Sequence, residues 1–118
     1  MIATDHAPHS AEEKSKGLEG SAMGITGLET AFPVLYTHLV LKGVISLEKL
    51  VDLMSTAPRR RFRLPDAGRD RAFFQVGEPY VIDSSAFFSR GHSTPFDGWE
   101  VYGRCVKTVY KGKTIFKI

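Results

Sequence analysis

Apolar residues recur at helical spacing through the first half of the chain. One stripe advances by four, three and four positions and consists of Leu28, Phe32, Leu35 and Leu39. This spacing predicts a helix with one buried face that ends near residues 42–43. Thr26 and Glu29 have the spacing of a capping box at its start, and Pro33 either begins the regular helix in its first turn or kinks it. His38, one residue off the stripe, is interpreted as a partly exposed helix residue rather than a ligand.

A shorter helix is predicted upstream of this stripe. Ser10 and Glu13 also have the capping-box spacing, which predicts a helix over residues 11–16. Gly17 is expected to end that helix, and residues 18–24 are predicted to form a loop.

Downstream, Ser46 is predicted to cap another helix. The apolar face of that helix consists of Leu47, Leu50, Val51 and Met54. After a break at residues 56–57, Pro58 is expected to start a short basic helix. The basic residues are Arg59, Arg60, Arg61 and Arg63. They point in several directions around a helix, and acidic residues balance much of the remaining positive charge, so a solvated surface or a protein contact is favoured over nucleic-acid binding.

From about Leu64 the pattern changes to short β-prone runs punctuated by glycine and proline. Strands are predicted at residues 72–76, 80–82, 99–102, 105–110 and 114–117. A long loop is expected over residues 87–98, and residues 111–113 are predicted to close a hairpin between the last two strands. The sequence therefore predicts an α/β protein, with helices over residues 1–64 and a β-rich segment over residues 65–118.

Composition narrows the class of protein. The chain has 118 residues, of which 42% are hydrophobic, which suffices for one modest domain with a core. No run approaches the roughly 20 apolar residues of a membrane helix, and no basic region followed by an apolar run opens the sequence, so a cytoplasmic protein without a membrane or nucleic-acid partner is expected. Cys105 is the only cysteine, which excludes an internal disulfide and a cysteine zinc site, and it is interpreted as a buried strand residue.

Candidate chemistry is concentrated near the start, where Asp5, His6 and His9 fall within five residues after a short apolar run. A carboxylate leaving the end of a strand is well placed for a site at the mouth of a barrel or sheet, and Pro8 would fix the turn that follows. An ordinary polar turn is the alternative interpretation. Strand geometry would point His6 away from Asp5, so His6 is assigned a structural role.

Three blocks of sequence carry a family resemblance in the order that the family has them. The first is Thr4-Asp5-His6-Ala7-Pro8-His9 followed by Ala11-Glu12-Glu13-Lys14, the second is Gly24-Ile25-Thr26-Gly27-Leu28-Glu29-Thr30, and the third is Ser89-Arg90-Gly91-His92-Ser93-Thr94-Pro95-Phe96-Asp97-Gly98-Trp99. Together they closely resemble bacterial dihydroorotase, a member of the amidohydrolase superfamily. In the last block, His92 is interpreted as a solvated loop residue and residues 94–99 as a packing corner.

The resemblance implies a TIM-like (β/α)8 metal-dependent hydrolase barrel. Such a barrel takes roughly 250 residues, so the chain is expected to be the C-terminal part only. Residues 1–64 would supply the last strand and the C-terminal helices of the barrel. Residues 65–118 would supply strands of the small composite β-sandwich beside it.

The resemblance also implies an activity and the residues that perform it. Dihydroorotase interconverts N-carbamoyl-L-aspartate and dihydroorotate in pyrimidine biosynthesis with a pair of zinc ions. Asp5 would bind one zinc and carry the proton to the ring nitrogen, His9 would bind the anionic substrate, and the backbone at Met23 and Gly24 would contact its ring. A catalytic zinc takes about three protein ligands, so the chain alone is expected to be inactive.

Several partners follow from this hypothesis. The remainder of the barrel would complete the zinc site, and a homo-oligomer is an open alternative. A second hypothesis is a non-catalytic, dihydroorotase-like assembly partner, as inactive relatives are for aspartate transcarbamoylase. A third is an independent small α/β binding domain, in which exposed apolar stripes and unpaired strands would favour oligomers.

Overall fold

A computed structural model describes residues 1–65 and 68–118, with helices in the first half and a sheet in the second. The α-helices are α1 (Ala11–Lys14), α2 (Gly17–Gly20), α3 (Ala31–Leu35), α4 (Leu47–Val51) and α5 (Ala57–Phe62). A π-helical segment, Tyr36–Val40, extends α3, and a second, Asp52–Thr56, joins α4 to α5. The strands are β1 (Arg71–Val81), β2 (Glu100–Tyr110) and β3 (Lys113–Lys117), and a 3-10 turn spans Ser84–Ala86. The predicted α/β class is thus confirmed for a small piece with one three-stranded antiparallel sheet.

The capping box of α1 forms as predicted. The Ser10 hydroxyl accepts a hydrogen bond from the Glu13 amide at 3.2 Å, and the Glu13 carboxylate accepts one from the Ser10 amide at 2.8 Å. The helix ends at Lys14, two residues earlier than predicted. Gly17 has a φ of 76° and begins the short helix α2, so part of the predicted loop over residues 18–24 is helical.

This capping box makes a prediction for the ionisation of Glu13. Hydrogen bonds from the Ser10 backbone and side chain hold the pKa of the Glu13 carboxyl below its usual value. A depressed pKa in the folded state means that the carboxylate stabilises the fold above its unfolded pKa, and that this contribution is lost as the pH falls through the lowered value. We expect Ser10→Ala, which keeps the bond from the backbone amide and removes the one from the hydroxyl, to raise the Glu13 pKa part of the way toward its usual value, as measured by NMR titration of the carboxyl carbon. An unchanged Glu13 pKa in Ser10→Ala would contradict this assignment.

The predicted capping box at Thr26 and Glu29 is wrong. The Thr26 hydroxyl donates instead to the Gly91 carbonyl at 2.8 Å, and the Glu29 carboxylate accepts hydrogen bonds from residues 88–89. The helix α3 begins later, at Ala31. Pro33 is its third residue, so it lies in the first turn, where its missing N–H costs no helical hydrogen bond.

The buried face of α3 differs from the predicted stripe. Pro33 and Tyr36 are the buried residues, whereas Leu28 is 63% exposed and lies before the helix. Phe32 packs on the sheet by stacking on Phe74, with ring centroids 3.9 Å apart. His38 is only partly exposed, as predicted, and its ring lies edge-on to Trp99 at 5.2 Å. The contacts with the sheet, rather than the intrinsic periodicity, set which face is covered.

The helix predicted after Ser46 is confirmed, with the Ser46 hydroxyl accepting from the Lys49 amide at 3.2 Å. Leu50, the fourth of its five residues, is fully buried. The predicted break at residues 56–57 is absent, because the π-helical segment runs directly into α5. The arginines of α5 diverge as predicted: Arg59 donates to the Pro65 carbonyl, whereas Arg60 lies 3.8 Å from the Asp52 carboxylate.

The sheet has the order β1-β2-β3 and is antiparallel throughout. The two strands predicted at 72–76 and 80–82 fuse into β1, and the register is irregular between Gln75 and Pro79. The strands predicted at 99–102 and 105–110 likewise fuse into β2. The predicted hairpin is confirmed, since Tyr110 pairs with Lys113 across a two-residue turn. Cys105 lies in β2 as predicted but is half-buried rather than buried.

The core is small, and much apolar surface stays open. Leu50 and Val101 are fully buried, as are the polar residues Thr26 and Thr30. A groove of about 750 Å3 lies between the sheet and α3 and is lined mainly by apolar and aromatic side chains. Within the described parts of the chain, no helix is both long and apolar enough to cross a bilayer.

Candidate functional site

The segment formed by residues 4–9 is held by backbone contacts with the loop that precedes α3. The Ala7 amide donates to the Ile25 carbonyl at 2.9 Å, and His6 and Ile25 form an isolated parallel bridge. The strand predicted before Asp5 is not observed. The Ile2 amide donates instead to the Leu53 carbonyl at 3.0 Å. Among residues 1–65 and 68–118, no strand pairs with residues 1–3.

Asp5 adopts a left-handed backbone conformation with a φ of 47°, and it is exposed. Aspartate is one of the few residues with a side chain that visit this region readily, and such conformations cluster at functional sites. Within the described residues, no hydrogen bond reaches the Asp5 carboxylate. The side chain is therefore accessible for a ligand or a proton.

The His6 side chain points toward the turn that precedes α3. Its Nδ1 accepts hydrogen bonds from the Gly27 amide at 3.1 Å and the Leu28 amide at 3.3 Å. Accepting these two bonds requires a lone pair on Nδ1. This geometry supports the structural role predicted for His6, although the cause is the backbone turn at Asp5 and not strand alternation.

Gly24 lies directly against the segment that carries Asp5 and His9. Its φ is 128°, and a Cβ at this position would lie 2.4 Å from the Ala7 Cβ and 2.8 Å from the Ala7 oxygen. Only glycine allows this approach. Met23, beside it, is 89% exposed. The structure therefore brings two of the predicted regions, residues 5–9 and residues 23–24, side by side.

Gly91 lies directly against the backbone of His9, and the sequence interpretation did not single it out. A Cβ on Gly91 would lie 2.7 Å from both the backbone nitrogen and the oxygen of His9. Thr26 fixes this loop twice, since its hydroxyl donates to the Gly91 carbonyl and its amide donates to the Ser93 carbonyl at 2.8 Å. The only local signal was a glycine within the motif Ser89-Arg90-Gly91-His92.

Glu29 anchors the same loop from the start of α3. Its carboxylate accepts hydrogen bonds from the Phe88 amide at 2.8 Å, the Ser89 amide at 3.0 Å and the Ser89 hydroxyl at 2.7 Å. Hydrogen bonds to an ionised acceptor are among the stronger ones in proteins. Glu29 and Thr26 thus hold residues 88–93 in place behind His9.

His9 borders a cavity of about 390 Å3 that Lys14, His92 and Ser93 also line. The Nδ1 atom of His9 lies 3.7 Å from the Glu13 carboxylate. His92 is exposed, as predicted for a solvated loop residue, and its ring stacks on that of Phe87 at 6.5 Å. Two imidazole side chains thus border the cavity and could donate hydrogen bonds to a ligand.

Metal binding depends on how many donor side chains lie close together. Residues 1–65 and 68–118 contain no group of three or more His, Cys, Asp and Glu side chains close enough to hold a metal ion. The exposed carboxylate of Asp5 has donor chemistry suited to zinc, which accepts carboxylate oxygens as ligands. Asp5 is thus suited to be one ligand of a shared site.

Comparison with known proteins identifies what this arrangement resembles. No family model matches the chain. In sequence, it is 46% identical over 123 residues to the dihydroorotase of Shouchella clausii, covering 99% of this chain and 29% of that protein. It is 48% identical over 120 residues to the dihydroorotase of Bacillus cereus, covering 96% of this chain and 28% of that protein.

Solved structures show the same local fold. The L-hydantoinase of Arthrobacter aurescens superimposes with a TM-score of 0.84 at 31% identity, over 96% of this chain and 28% of that one. The D-hydantoinase of a Bacillus species superimposes with a TM-score of 0.83 at 24% identity, over 96% of this chain and 27% of that one, which is evidence of fold alone.

The fold is therefore that of a segment of amidohydrolase enzymes. Within that class the chain is homologous to the dihydroorotases over nearly its whole length, and the resemblance predicted from its motifs is confirmed. It spans between a quarter and a third of the length of these curated relatives, 28% and 29% in the two cases.

Proposed function

We propose that this chain is the C-terminal part of a dihydroorotase, which interconverts N-carbamoyl-L-aspartate and dihydroorotate when the rest of the enzyme is present. The observation that carries the proposal is the arrangement of residues 4–9 against Gly24, since the motifs shared with dihydroorotases meet at one place on the surface. The 48% identity to a dihydroorotase favours this reaction over the hydantoin hydrolysis named for the structural neighbours.

Asp5 is proposed as a zinc ligand whose partners lie in the remainder of the protein. Zinc, when bound, polarises an amide carbonyl and activates water at neutral pH. In the hydrolytic direction water adds to a ring carbonyl, the ring C–N bond breaks and the nitrogen takes up a proton. The Asp5 carboxylate is proposed to carry that proton from the attacking water to the nitrogen, and back again in ring closure.

The other residues of the site are proposed to bind and orient the substrate. His9 borders a cavity that His92 also lines, and these two imidazoles can donate hydrogen bonds to the carboxylates of carbamoyl aspartate and dihydroorotate. The backbone at Met23 and Gly24 is proposed to contact the substrate ring. Backbone groups suit this task because their position is fixed without any side-chain entropy cost.

The two halves of the chain are proposed to belong to different parts of the complete enzyme. Residues 1–64 would form the last strand and helices of a TIM-like (β/α)8 barrel, and residues 65–118 would join a composite β-sandwich. The open apolar groove beside the sheet supports this division, because packing against the remainder of the enzyme would bury its apolar surface. In the complete barrel, residues 1–3 would pair with a neighbouring strand and would themselves form a strand.

Reconstitution tests this function. We expect the chain co-expressed with the complementary N-terminal portion of a Bacillus dihydroorotase, in zinc-containing medium, to interconvert carbamoyl aspartate and dihydroorotate. The chain purified alone is expected to show no turnover, because a catalytic zinc takes about three protein ligands. Hydantoin serves as the competing substrate in the same assay.

Three outcomes would count against the proposal. Turnover by the isolated chain would show that its zinc site is complete. Hydrolysis of hydantoin without any dihydroorotate turnover would change the substrate. A stable complex that binds zinc but turns over neither compound would favour a non-catalytic assembly partner, for example of aspartate transcarbamoylase, or a homo-oligomeric scaffold.

A further inference from the structure

Lys14, the last residue of α1, joins that helix to the loop that precedes Gly24. Its Nζ donates a hydrogen bond to the Ala22 carbonyl at 2.8 Å and another to the Gly24 carbonyl at 2.5 Å. The side chain is half-buried, so these charge-assisted bonds are partly shielded from water. A single ammonium group therefore spans the backbone on both sides of Met23.

Apart from the close approach of Gly24 to Ala7, side-chain packing does little to hold residues 21–24. Met23 is 89% exposed, and Leu18 in the neighbouring helix α2 is 97% exposed, so apolar packing contributes little there. Gly24 has no side chain to pack. Three further bonds reach residues 21–22. Two go to α1: the Ala22 amide donates to the Glu13 carbonyl at 3.0 Å, and the Ser21 hydroxyl donates to the Lys14 carbonyl at 2.8 Å. The third goes to α2, where the Gly17 carbonyl accepts from the Ser21 amide at 3.0 Å.

The same helix also contacts His9. The Glu13 carboxylate lies 3.7 Å from His9 Nδ1 while it accepts the Ser10 amide at the start of α1. Helix α1 thus touches both elements assigned to substrate binding, His9 through Glu13 and residues 22–24 through Lys14. Its four residues form a bridge of fixed length between them.

We propose that Lys14 is a positioning residue that sets the Met23–Gly24 backbone at the correct distance from His9 for one cyclic, anionic substrate to contact both. This inference rests on the proposed dihydroorotase function. Both hydrogen bonds of the Lys14 ammonium go to loop carbonyls, so it acts on the substrate through the loop rather than by direct contact. Lys14 is therefore proposed to affect substrate binding more than the chemical step, in which Asp5 transfers the proton.

The test uses the complete reconstituted enzyme with Lys14→Met, which keeps the length of the side chain and removes its donors. We expect KM for dihydroorotate to rise roughly tenfold while kcat changes much less, the pattern of a lost ground-state contact. Zinc content and Tm are measured alongside. Lys16→Met is the matched control, because Lys16 is exposed two residues away, and it is expected to keep the wild-type KM.

Lys14→Arg provides the rescue, since a guanidinium also donates to two carbonyls, and it is expected to recover most of the lost affinity. If Lys14→Met does not fold, Lys14→Gln, which keeps one donor group, is expected to show a smaller rise in KM. A wild-type KM in folded Lys14→Met or Lys14→Gln would overturn the positioning role, as would a lower Tm with unchanged KM. Absence of dihydroorotate turnover in the wild-type enzyme would instead remove the proposed function and the basis of this role with it.

Discussion

Asp5→Asn in the reconstituted enzyme is expected to lower kcat for dihydroorotate hydrolysis by at least about 10³-fold, the scale of a lost proton carrier. Asparagine is the sharper substitution, because it tolerates the left-handed φ of 47° at this position almost as well as aspartate does. Alanine would add backbone strain to the loss of the carboxylate. The Asn variant therefore separates chemistry from folding.

Two measurements accompany the rate. Zinc content by mass spectrometry is expected to fall in Asp5→Asn, since an amide is a weaker ligand than a carboxylate. Tm is expected to change little, because Asp5 is exposed and, among the described residues, forms no hydrogen bond through its carboxylate. Glu48→Ala, which removes an exposed carboxylate in the first turn of α4, is the control and is expected to keep wild-type kcat. More than a tenth of wild-type kcat in a folded Asp5→Asn enzyme would exclude Asp5 as the proton carrier.

Local features of the fold were predictable because their partners are close in sequence. Ser10 and Ser46 each cap a helix through an amide three residues ahead, and Tyr110 pairs with Lys113 across a two-residue turn. Such interactions depend on residue type and spacing alone. Tertiary context left them unchanged in this structure.

Predictions failed where distant partners compete for the same groups. Thr26 and Glu29 have the spacing of a capping box, yet their side chains bond to Gly91 and to residues 88–89, about 60 positions away. Glu29 gains three donors there, whereas a capping box would give it one. Leu28 lost its predicted place in the core for the same reason, since α3 begins only after this anchored turn.

The residues of the candidate site were predictable, but the residues that hold them in position were not. The resemblance pointed to Asp5, His9 and Gly24, and the structure places their segments side by side. Gly91 was missed because its importance comes from the backbone of His9, 82 residues earlier in the sequence, and no local pattern reports a contact of that kind.

After Asp5→Asn, Gly91→Ala is expected to reduce the activity of the reconstituted enzyme the most, although it adds only one methyl group. That carbon would lie 2.7 Å from the His9 nitrogen and oxygen and 2.9 Å from the Pro8 Cα. All three are backbone atoms, which cannot rotate away, so either the loop or the segment of His9 must move. Overpacking of this kind typically costs 1–3 kcal/mol, and a shift of about 1 Å at a substrate-binding group costs up to roughly 10²-fold in rate.

We therefore expect Gly91→Ala to lower both Tm and kcat/KM for dihydroorotate, measured by thermal unfolding and steady-state kinetics of the reconstituted enzyme. Gly77→Ala is the matched control, because the new methyl group at that position in β1 meets no atom within 4 Å. The control is expected to change stability by no more than about 0.5 kcal/mol. If Gly91→Ala matched Gly77→Ala in both measurements, the loop would not support His9. If only Tm fell, Gly91 would stabilise the fold without setting the position of the substrate-binding histidine.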